Sequence, residues 1–167
     1  MNSSNSEKVT CLAVGDPHFQ VNNVTDAEEL IKKVNKLVKQ LHPTFVVILG
    51  DLLHTHEKVH TTPFNIATRL IITLARKVQV FLIIGNHDYV NNQQYLTNKH
   101  PFNSFKKIEN VTVCDHVVLR TINGMKFIFC PFLVLIFNSF KTSNILFCCS
   151  ELTPYMVSSV TSLSLFI

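Results

Sequence analysis

The chain has 167 residues, a length that fits a single domain with a sizeable hydrophobic core of its own. Hydrophobic residues make up 47% of the chain and charged residues 16%, and this composition excludes a largely disordered protein. The formal net charge of +4 permits a phosphate-rich partner but does not require one. The 5 cysteines show no C-x-x-C spacing, which argues against a disulfide framework and against a zinc cluster.

The apolar segments argue against a secreted or membrane protein. The amino-terminal residues are polar and lack the apolar stretch of a secretory signal. The longest apolar run, 127–137, contains a proline and is well short of the ~20 residues that span a bilayer. The sequence therefore predicts an intracellular protein, in the cytoplasm or nucleus, with no membrane partner.

Three short apolar segments predict the first strands of a sheet. They cover residues 9–14, 45–49 and 78–84, and each is followed by glycine. The second, FVVIL, is apolar at every position, which is typical of a strand that is covered on both faces.

Two amphipathic segments separate these strands and predict helices. Thr25 followed by Glu28 has the form of a capping box, and apolar residues then recur at helical spacing as far as Leu41. Thr62 and Pro63 predict the N-cap and first position of a second helix. This alternation predicts an α/β fold with a parallel sheet and helices on its faces, in which ligands bind beyond the carboxyl ends of the strands.

The sequence after the third predicted strand no longer alternates regularly between strands and helices. A polar segment, 91–110, predicts a loop with a short helix, and Asn123-Gly124 predicts a tight hairpin turn between two of three further strands at 111–113, 117–119 and 126–130. From Leu133 onward only two side chains are charged and no clear periodicity remains. The sequence therefore predicts a domain over 8–132 and a divergent or truncated hydrophobic tail over 133–167.

Polar residues with a common pattern follow the three predicted parallel strands. The strand ends read Gly15-Asp16-Pro17-His18, Gly50-Asp51 and Gly85-Asn86-His87-Asp88. Glycine allows a sharp turn, and the acid, amide and imidazole groups are donors that a divalent cation can share above the sheet. A single Gly-Asp is common in turns, but three such motifs in order favour a metal site.

Each of these residues has a predicted role. Asp51, in the central motif, would bridge two cations, with Asp16 and His18 holding one of them and Asn86 holding the other. His87 would donate a proton or a hydrogen bond to a phosphoryl oxygen or a leaving group. Asp88 would orient the imidazole of His87 and raise its basicity.

The three motifs resemble the signature of the calcineurin-like metallophosphoesterases, D-x-H, G-D and G-N-H-[DE]. The resemblance implies a β-sandwich flanked by helices, with two divalent metal ions bound between the sheets. It favours Mn²⁺ as the metal, and Fe and Zn are also compatible with these ligands. It further implies hydrolysis of a phosphoester by in-line attack of a hydroxide that two metals activate, with His87 stabilising the transition state.

The stretch Gly50-Asp51-Leu52-Leu53-His54, followed by G-N-H-D, is most similar to the SbcD-type DNA repair and recombination nucleases. The later stretches 110–114 and 123–131 are also similar to that group. The resemblance implies a phosphodiester substrate such as DNA, an SbcC-type ATPase partner and a place for His54 at the edge of the site. His56 and His60 match no motif, and we expect them to be solvated loop histidines.

In that family a further histidine and then G-H-x-H complete the metal site, and neither follows residue 132 here. We therefore expect the fold to be incomplete at the C-terminus, and two alternatives to an exonuclease-type DNA repair phosphodiesterase stay open. One is a catalytically impaired fragment or a non-catalytic protein-interaction module on the same fold. The other is a phosphatase for small substrates or phosphoproteins.

Overall fold

The computed structural model describes residues 8–56, 58–91 and 96–131, together with two strands at 145–149 and 163–166. Five strands form the first sheet: β1 Cys11–Val14, β2 Phe45–Ile48, β3 Gln79–Ile83, β4 Val111–Cys114 and β8 Leu163–Phe166. Their order is β4-β3-β2-β1-β8, and all neighbours are parallel. The strands predicted in the first half are confirmed, and parallel pairing places their carboxyl ends at one edge of the sheet.

Two helices, α1 Val24–Leu41 and α2 Thr61–Ala75, cover one face of this sheet. Buried residues of both helices pack in a single cluster with alternate residues of β1, β2 and β3. The opposite residues of the same strands lie in a second cluster, which contains no residue from either helix. The predicted helices exist, but both lie on the same face rather than on both faces.

The predicted capping box of the first helix is wrong. The helix begins at Val24, so Thr25 lies inside it, and a short 3₁₀ helix, Val21–Asn23, precedes it. The side chain of Asn23 accepts a hydrogen bond from the Gln20 N–H at 2.9 Å and donates one to the His18 carbonyl at 3.0 Å. The start of the helix is therefore set by the hydrogen bonds of Asn23 to the preceding loop and not by the Thr25–Glu28 pattern.

A second sheet covers the other face. It consists of β5 Val118–Ile122, β6 Met125–Cys130 and β7 Ile145–Cys149, with β5 antiparallel and β7 parallel to β6. The predicted turn between β5 and β6 is confirmed, since Asn123 and Gly124 have φ values of 47° and 78°. Both central residues of a type I′ turn need this left-handed backbone.

Aromatic side chains join the two sheets. Phe81 of β3 stacks on Phe129 of β6 with ring centroids 4.0 Å apart. Phe45 of β2 makes edge contacts with Phe81, Phe127 and Phe129 at 5.1 to 5.9 Å. These rings are at most 2% exposed, so they form the centre of the interface between the sheets. The predicted α/β class with a β-sandwich flanked by helices is confirmed.

A buried charged cluster closes the carboxyl end of β4. Asp115 is 4% exposed, and its carboxylate accepts hydrogen bonds from Lys106, His116 and the Nε2–H of His100. Burial opposes ionisation, but the hydrogen bonds from Lys106, His116 and His100 outweigh it and lower the pKa of Asp115 to about 2. His100 is itself buried and accepts from the Phe102 N–H through Nδ1, so this histidine has a packing role.

The predicted tail contains β7 and β8, whereas residues 132–144 and 150–162 lie outside the described part of the chain. The domain boundary near residue 132 and the incompleteness of the fold beyond it stay predictions. Within the described residues, neither helix has the length and apolar character needed to cross a membrane.

Candidate metal centre

Backbone hydrogen bonds extend the pairing of β1 and β2 into the loops that follow them. The N–H of His18 donates to the carbonyl of Asp51 at 2.9 Å, and the N–H of Phe19 donates to the carbonyl of Leu52 at 3.0 Å. Phe19 and Leu53 are both buried, which anchors each loop to the core. The first two motifs therefore lie side by side at the carboxyl edge of the sheet.

Three of the predicted metal ligands have a left-handed backbone. The φ angles of Asp16, His18 and Asp51 are 35°, 44° and 46°. Non-glycine residues adopt this region rarely and at a cost of about 1 to 3 kcal/mol each, and such residues cluster at functional sites. The surrounding hydrogen bonds hold the strained backbone and direct these side chains.

The carboxylate of Asp51 lies at the centre of the three motifs. Its Oδ2 is 3.7 Å from the Nε2 of His18, and its Oδ1 accepts a hydrogen bond from the backbone N–H of His87 at 2.9 Å. Asp51 is itself buried, with 8% of its surface exposed. Residues from all three strand ends thus contact one buried carboxylate.

Glycine at position 85 makes this close approach possible. A Cβ atom added to Gly85 would lie 2.0 Å from Oδ1 and 2.2 Å from the backbone nitrogen of Asp51. No side chain fits in that space. The glycine of the third motif is therefore required by the Asp51 carboxylate, and not by its own backbone angles, which are extended.

The distances around Asp51 fit divalent cations. Two ligand atoms that bind one ion at about 2.1 Å lie at most about 4.2 Å apart. The His18 Nε2 and Asp51 Oδ2 satisfy this limit, and one terminal atom of the Asn86 amide lies 3.0 and 3.2 Å from the two carboxylate oxygens. With nitrogen at that position, Asn86 donates hydrogen bonds to Asp51. Half a turn of the amide presents its oxygen, an atom that could bind a cation together with Asp51.

The imidazole of His18 is suited to bind a metal because burial lowers its pKa below the usual value, an effect that outweighs the opposing charge of Asp51. A neutral ring has a lone pair to offer at neutral pH. Asp16 is exposed, and its negative charge, like that of Asp51, acts to raise the pKa of His18.

The ring of His87 has a defined orientation. Its Nδ1 lies 2.8 Å from the carbonyl oxygen of His54. A carbonyl can only accept, so Nδ1 carries a proton and Nε2 is the nitrogen available for chemistry. The ring of His18 lies edge-on to His87, with centroids 5.1 Å apart.

Asp88 is placed differently from the prediction. Its carboxylate is 2% exposed and accepts hydrogen bonds from the backbone N–H groups of Leu52, Leu53 and Gly85, whereas the described partner of the His87 ring nitrogen is the His54 carbonyl. Burial raises the pKa of Asp88 to about 7, although the hydrogen bonds from Leu53, Gly85 and Leu52 oppose this shift. Asp88 thus joins the second loop to the third, and the backbone of His54 takes the orienting role that was predicted for Asp88.

Four histidine rings line the site. Nitrogen atoms of His18, His54 and His87 all lie within 4.8 Å of one another, and His56 stacks on His87 at 4.7 Å. The Nδ1 of His56 is 3.3 Å from the Tyr89 carbonyl. The expectation that His56 is a solvated loop histidine is therefore wrong, whereas His60 is exposed at the start of α2. No spacing in the sequence marks His56, because the contact is between separate loops.

The sequence profile of the calcineurin-like phosphoesterase family matches residues 9–148. The chain belongs to this family. The positions of His18 and Asn86 beside the Asp51 carboxylate fit a member of this family. The individual roles of Asp16, His18, Asp51 and Asn86 as metal ligands stay predictions.

Two curated viral relatives are similar to most of the chain. “Putative phosphoesterase 078R” of Invertebrate iridescent virus 3 is 41% identical over 125 residues, which cover 75% of this chain and 36% of the relative. “Putative phosphoesterase 244L” of Invertebrate iridescent virus 6 is 37% identical over 122 residues, which cover 72% of this chain and 43% of the relative. The chain thus spans less than half the length of either relative.

Among solved structures, the protein of unknown function AQ665 from Aquifex aeolicus aligns with a TM-score of 0.43 and 15% identity. The alignment covers 77% of this chain and 63% of that one. Such a likeness is too distant to carry an argument.

Proposed function

We propose that this chain hydrolyses phosphoesters with two divalent cations held around Asp51. The observation that carries the proposal is the pair of contacts of one buried carboxylate, with His18 Nε2 at 3.7 Å and the Asn86 amide at 3.0 Å. Asp16 and His18 would hold one ion together with Asp51, and Asn86 would hold the other. When bound, the ions supply a water of lowered pKa and neutralise negative charge on the phosphoryl group.

The ligand set favours Mn²⁺. Two carboxylates and an amide oxygen outnumber the single imidazole, and such oxygen-rich ligands suit Mn²⁺ better than they suit softer metals. A metal titration that ranks Mn²⁺ against Zn²⁺ and Fe²⁺ tests this preference.

The protein's own groups have separate tasks in the reaction. The backbone N–H of His87 fixes one oxygen of Asp51, and the imidazole of His87 offers Nε2 to the substrate. In its protonated form this ring donates to a phosphoryl oxygen or to the leaving group, which is worth roughly 10²- to 10⁴-fold in rate. The carbonyl of His54 accepts from Nδ1 and so holds the ring in the orientation that presents Nε2.

We further propose that the substrate is a phosphodiester, as in the DNA repair nucleases of the SbcD type. The support is the Gly50–His54 motif and the position of His54, whose ring contacts both His18 and His87. DNA as a substrate and an SbcC-type ATPase as a partner rest on that resemblance alone. A phosphatase for monoesters is the competing hypothesis, and it predicts faster hydrolysis of a monoester than of a diester.

The test is hydrolysis of a chromogenic phosphodiester, bis(p-nitrophenyl) phosphate, beside the corresponding monoester, both with Mn²⁺. Asp51→Asn should lose metal uptake and turnover together, while His87→Ala should lose about 100-fold in turnover with little change in metal uptake. Asp26→Asn, an exposed carboxylate in the first turn of α1, is the matched control.

Unchanged turnover in Asp51→Asn would overturn the proposal. Equal loss of metal and turnover in His87→Ala would make His87 a ligand instead. A wild-type chain that binds no Mn²⁺ at millimolar concentrations would favour the catalytically impaired fragment or the non-catalytic interaction module.

A further inference from the structure

His54 occupies an unusual position because it contacts two imidazoles through two different groups. Its backbone carbonyl accepts from the Nδ1 of His87 at 2.8 Å, and its ring Nδ1 lies 3.4 Å from the Nδ1 of His18. The carbonyl contact is independent of the side chain. A substitution at position 54 would instead remove the ring, with its contact to His18 and its stacking on His87 at 5.7 Å between centroids.

The backbone holds His54 in place for this contact. The His54 N–H donates to the carbonyl of Phe19 at 3.3 Å, and the neighbouring residues Phe19 and Leu53 form a parallel bridge. Position 54 is therefore in register with the loop that carries His18. The two rings meet edge to face, with centroids 5.3 Å apart.

The contact between the two Nδ1 atoms fits either tautomer, and the proposed function determines which of them donates. Only one of them can donate. The other nitrogen of His18, Nε2, is 3.7 Å from Asp51 Oδ2, which is longer than a hydrogen bond and within the span of two ligands of one ion. A metal ligand must be unprotonated, so a ring that binds through Nε2 carries its proton on Nδ1 and donates it to His54.

We propose that His54 is a positioning residue, whose ring accepts the Nδ1 proton of His18 and so fixes the tautomer in which His18 presents Nε2 to the cation. This inference rests on the proposed function, because it assumes that His18 binds a cation. The tautomer of His18 can nevertheless be measured in the metal-free protein. Metal-binding histidines usually donate their second N–H to an oxygen acceptor. Here the acceptor is a second imidazole.

The decisive comparison is between His54→Asn and His54→Leu. These two side chains have nearly the same branched shape, and the asparagine oxygen lies about where the Nδ1 of histidine lies, whereas leucine has no acceptor. His60→Leu is the control, because His60 is exposed at the start of α2, away from the three rings. All three variants keep the backbone carbonyl that orients His87.

Two readouts apply to each variant. Nitrogen-15 NMR of the metal-free protein should show His18 protonated at Nδ1 in the wild type and in His54→Asn, and shifted toward the Nε2–H form in His54→Leu. Calorimetric titration with Mn²⁺ should give an affinity about 10- to 100-fold weaker for His54→Leu, largely restored in His54→Asn and unchanged in His60→Leu.

The inference is overturned if His18 carries its proton on Nε2 in the wild type, or if the leucine and asparagine variants bind Mn²⁺ equally well. A wild-type chain without Mn²⁺ affinity would contradict the proposed function. The NMR result on the metal-free protein would still decide the role of His54.

Discussion

Replacing Gly85 by alanine tests the central geometry of the site. The backbone of Gly85, with φ −84° and ψ 175°, is one that alanine adopts freely, so the change has no conformational cost. The whole effect comes from the new methyl group, which would lie 2.0 Å from Asp51 Oδ1 and 2.2 Å from the Asp51 nitrogen. A rotation of the Asp51 side chain relieves only the first contact. The second requires the backbone of one loop to move.

Inserting a methyl group into a packed interior usually costs 1 to 3 kcal/mol, and contact with backbone places Gly85→Ala at the upper end, about 3 kcal/mol. The free energy of unfolding from urea denaturation measures this loss. Mn²⁺ affinity should fall as well, because Asp51 must shift. Gly124→Ala is the matched control: its Cβ meets nothing within 4 Å, but φ is 78°, so its cost is only the left-handed backbone, about 1 kcal/mol.

A Gly85→Ala variant that is as stable as the wild type and binds Mn²⁺ equally well would contradict this close approach of Gly85 to Asp51. A Gly124→Ala variant that proves the more damaging of the two would contradict it as well, because strained backbone would then matter more than the approach to Asp51.

Three further substitutions test the framework around the site. Asp115→Asn should lower the free energy of unfolding by at most about 2 kcal/mol at pH 7. This loss is fully present above the unfolded pKa of Asp115, near 3.8, and disappears as the pH falls through about 2. The denaturation curves of wild type and variant should therefore converge in acid. Asp88→Asn sets an amide nitrogen against backbone N–H donors and should destabilise the protein by about 1 to 3 kcal/mol at neutral pH, against a change within about 0.5 kcal/mol for Asp26→Asn. Phe129→Ala removes the ring that stacks on Phe81 and should lower the free energy of unfolding by about 3 to 5 kcal/mol; a loss below 1 kcal/mol would mean that these rings do not hold the sheets together.

The sheet could be predicted from the sequence because its signals are local. The run FVVIL is apolar at each position, and both of its faces are indeed buried, with Val46 and Ile48 toward the helices and Phe45 and Val47 toward the second sheet. The Asn123-Gly124 turn is likewise set by its own two residues. That both helices lie on one face could not be seen, since either face of the first sheet offers an apolar surface.

The candidate site likewise has features that the sequence predicts and features that it does not. The motif residues were identifiable because each follows a strand directly. The left-handed backbone of Asp16 and His18 could not be predicted, because it depends on contacts between residues far apart in the chain. One of these is the hydrogen bond from the His18 N–H to the Asp51 carbonyl. The same holds for His56, whose stacking on His87 follows from how two loops meet.

Asp88 shows why a motif does not define a contact. Its place beside His87 in the sequence suggested that it orients that ring, but successive side chains in the 3₁₀ turn Asn86–Asp88 point in different directions. The carboxylate of Asp88 is instead directed inward, where it accepts from the backbone of the second motif.

Calorimetric titration with Mn²⁺, comparing the wild type with Asp51→Asn, is the sharpest test of the proposed metal centre. The wild type should bind Mn²⁺ saturably, and this binding should be lost when the Asp51 carboxylate, which residues from all three strand ends contact, becomes an amide. Equal binding by both proteins, or none by either, would contradict a metal centre built around Asp51.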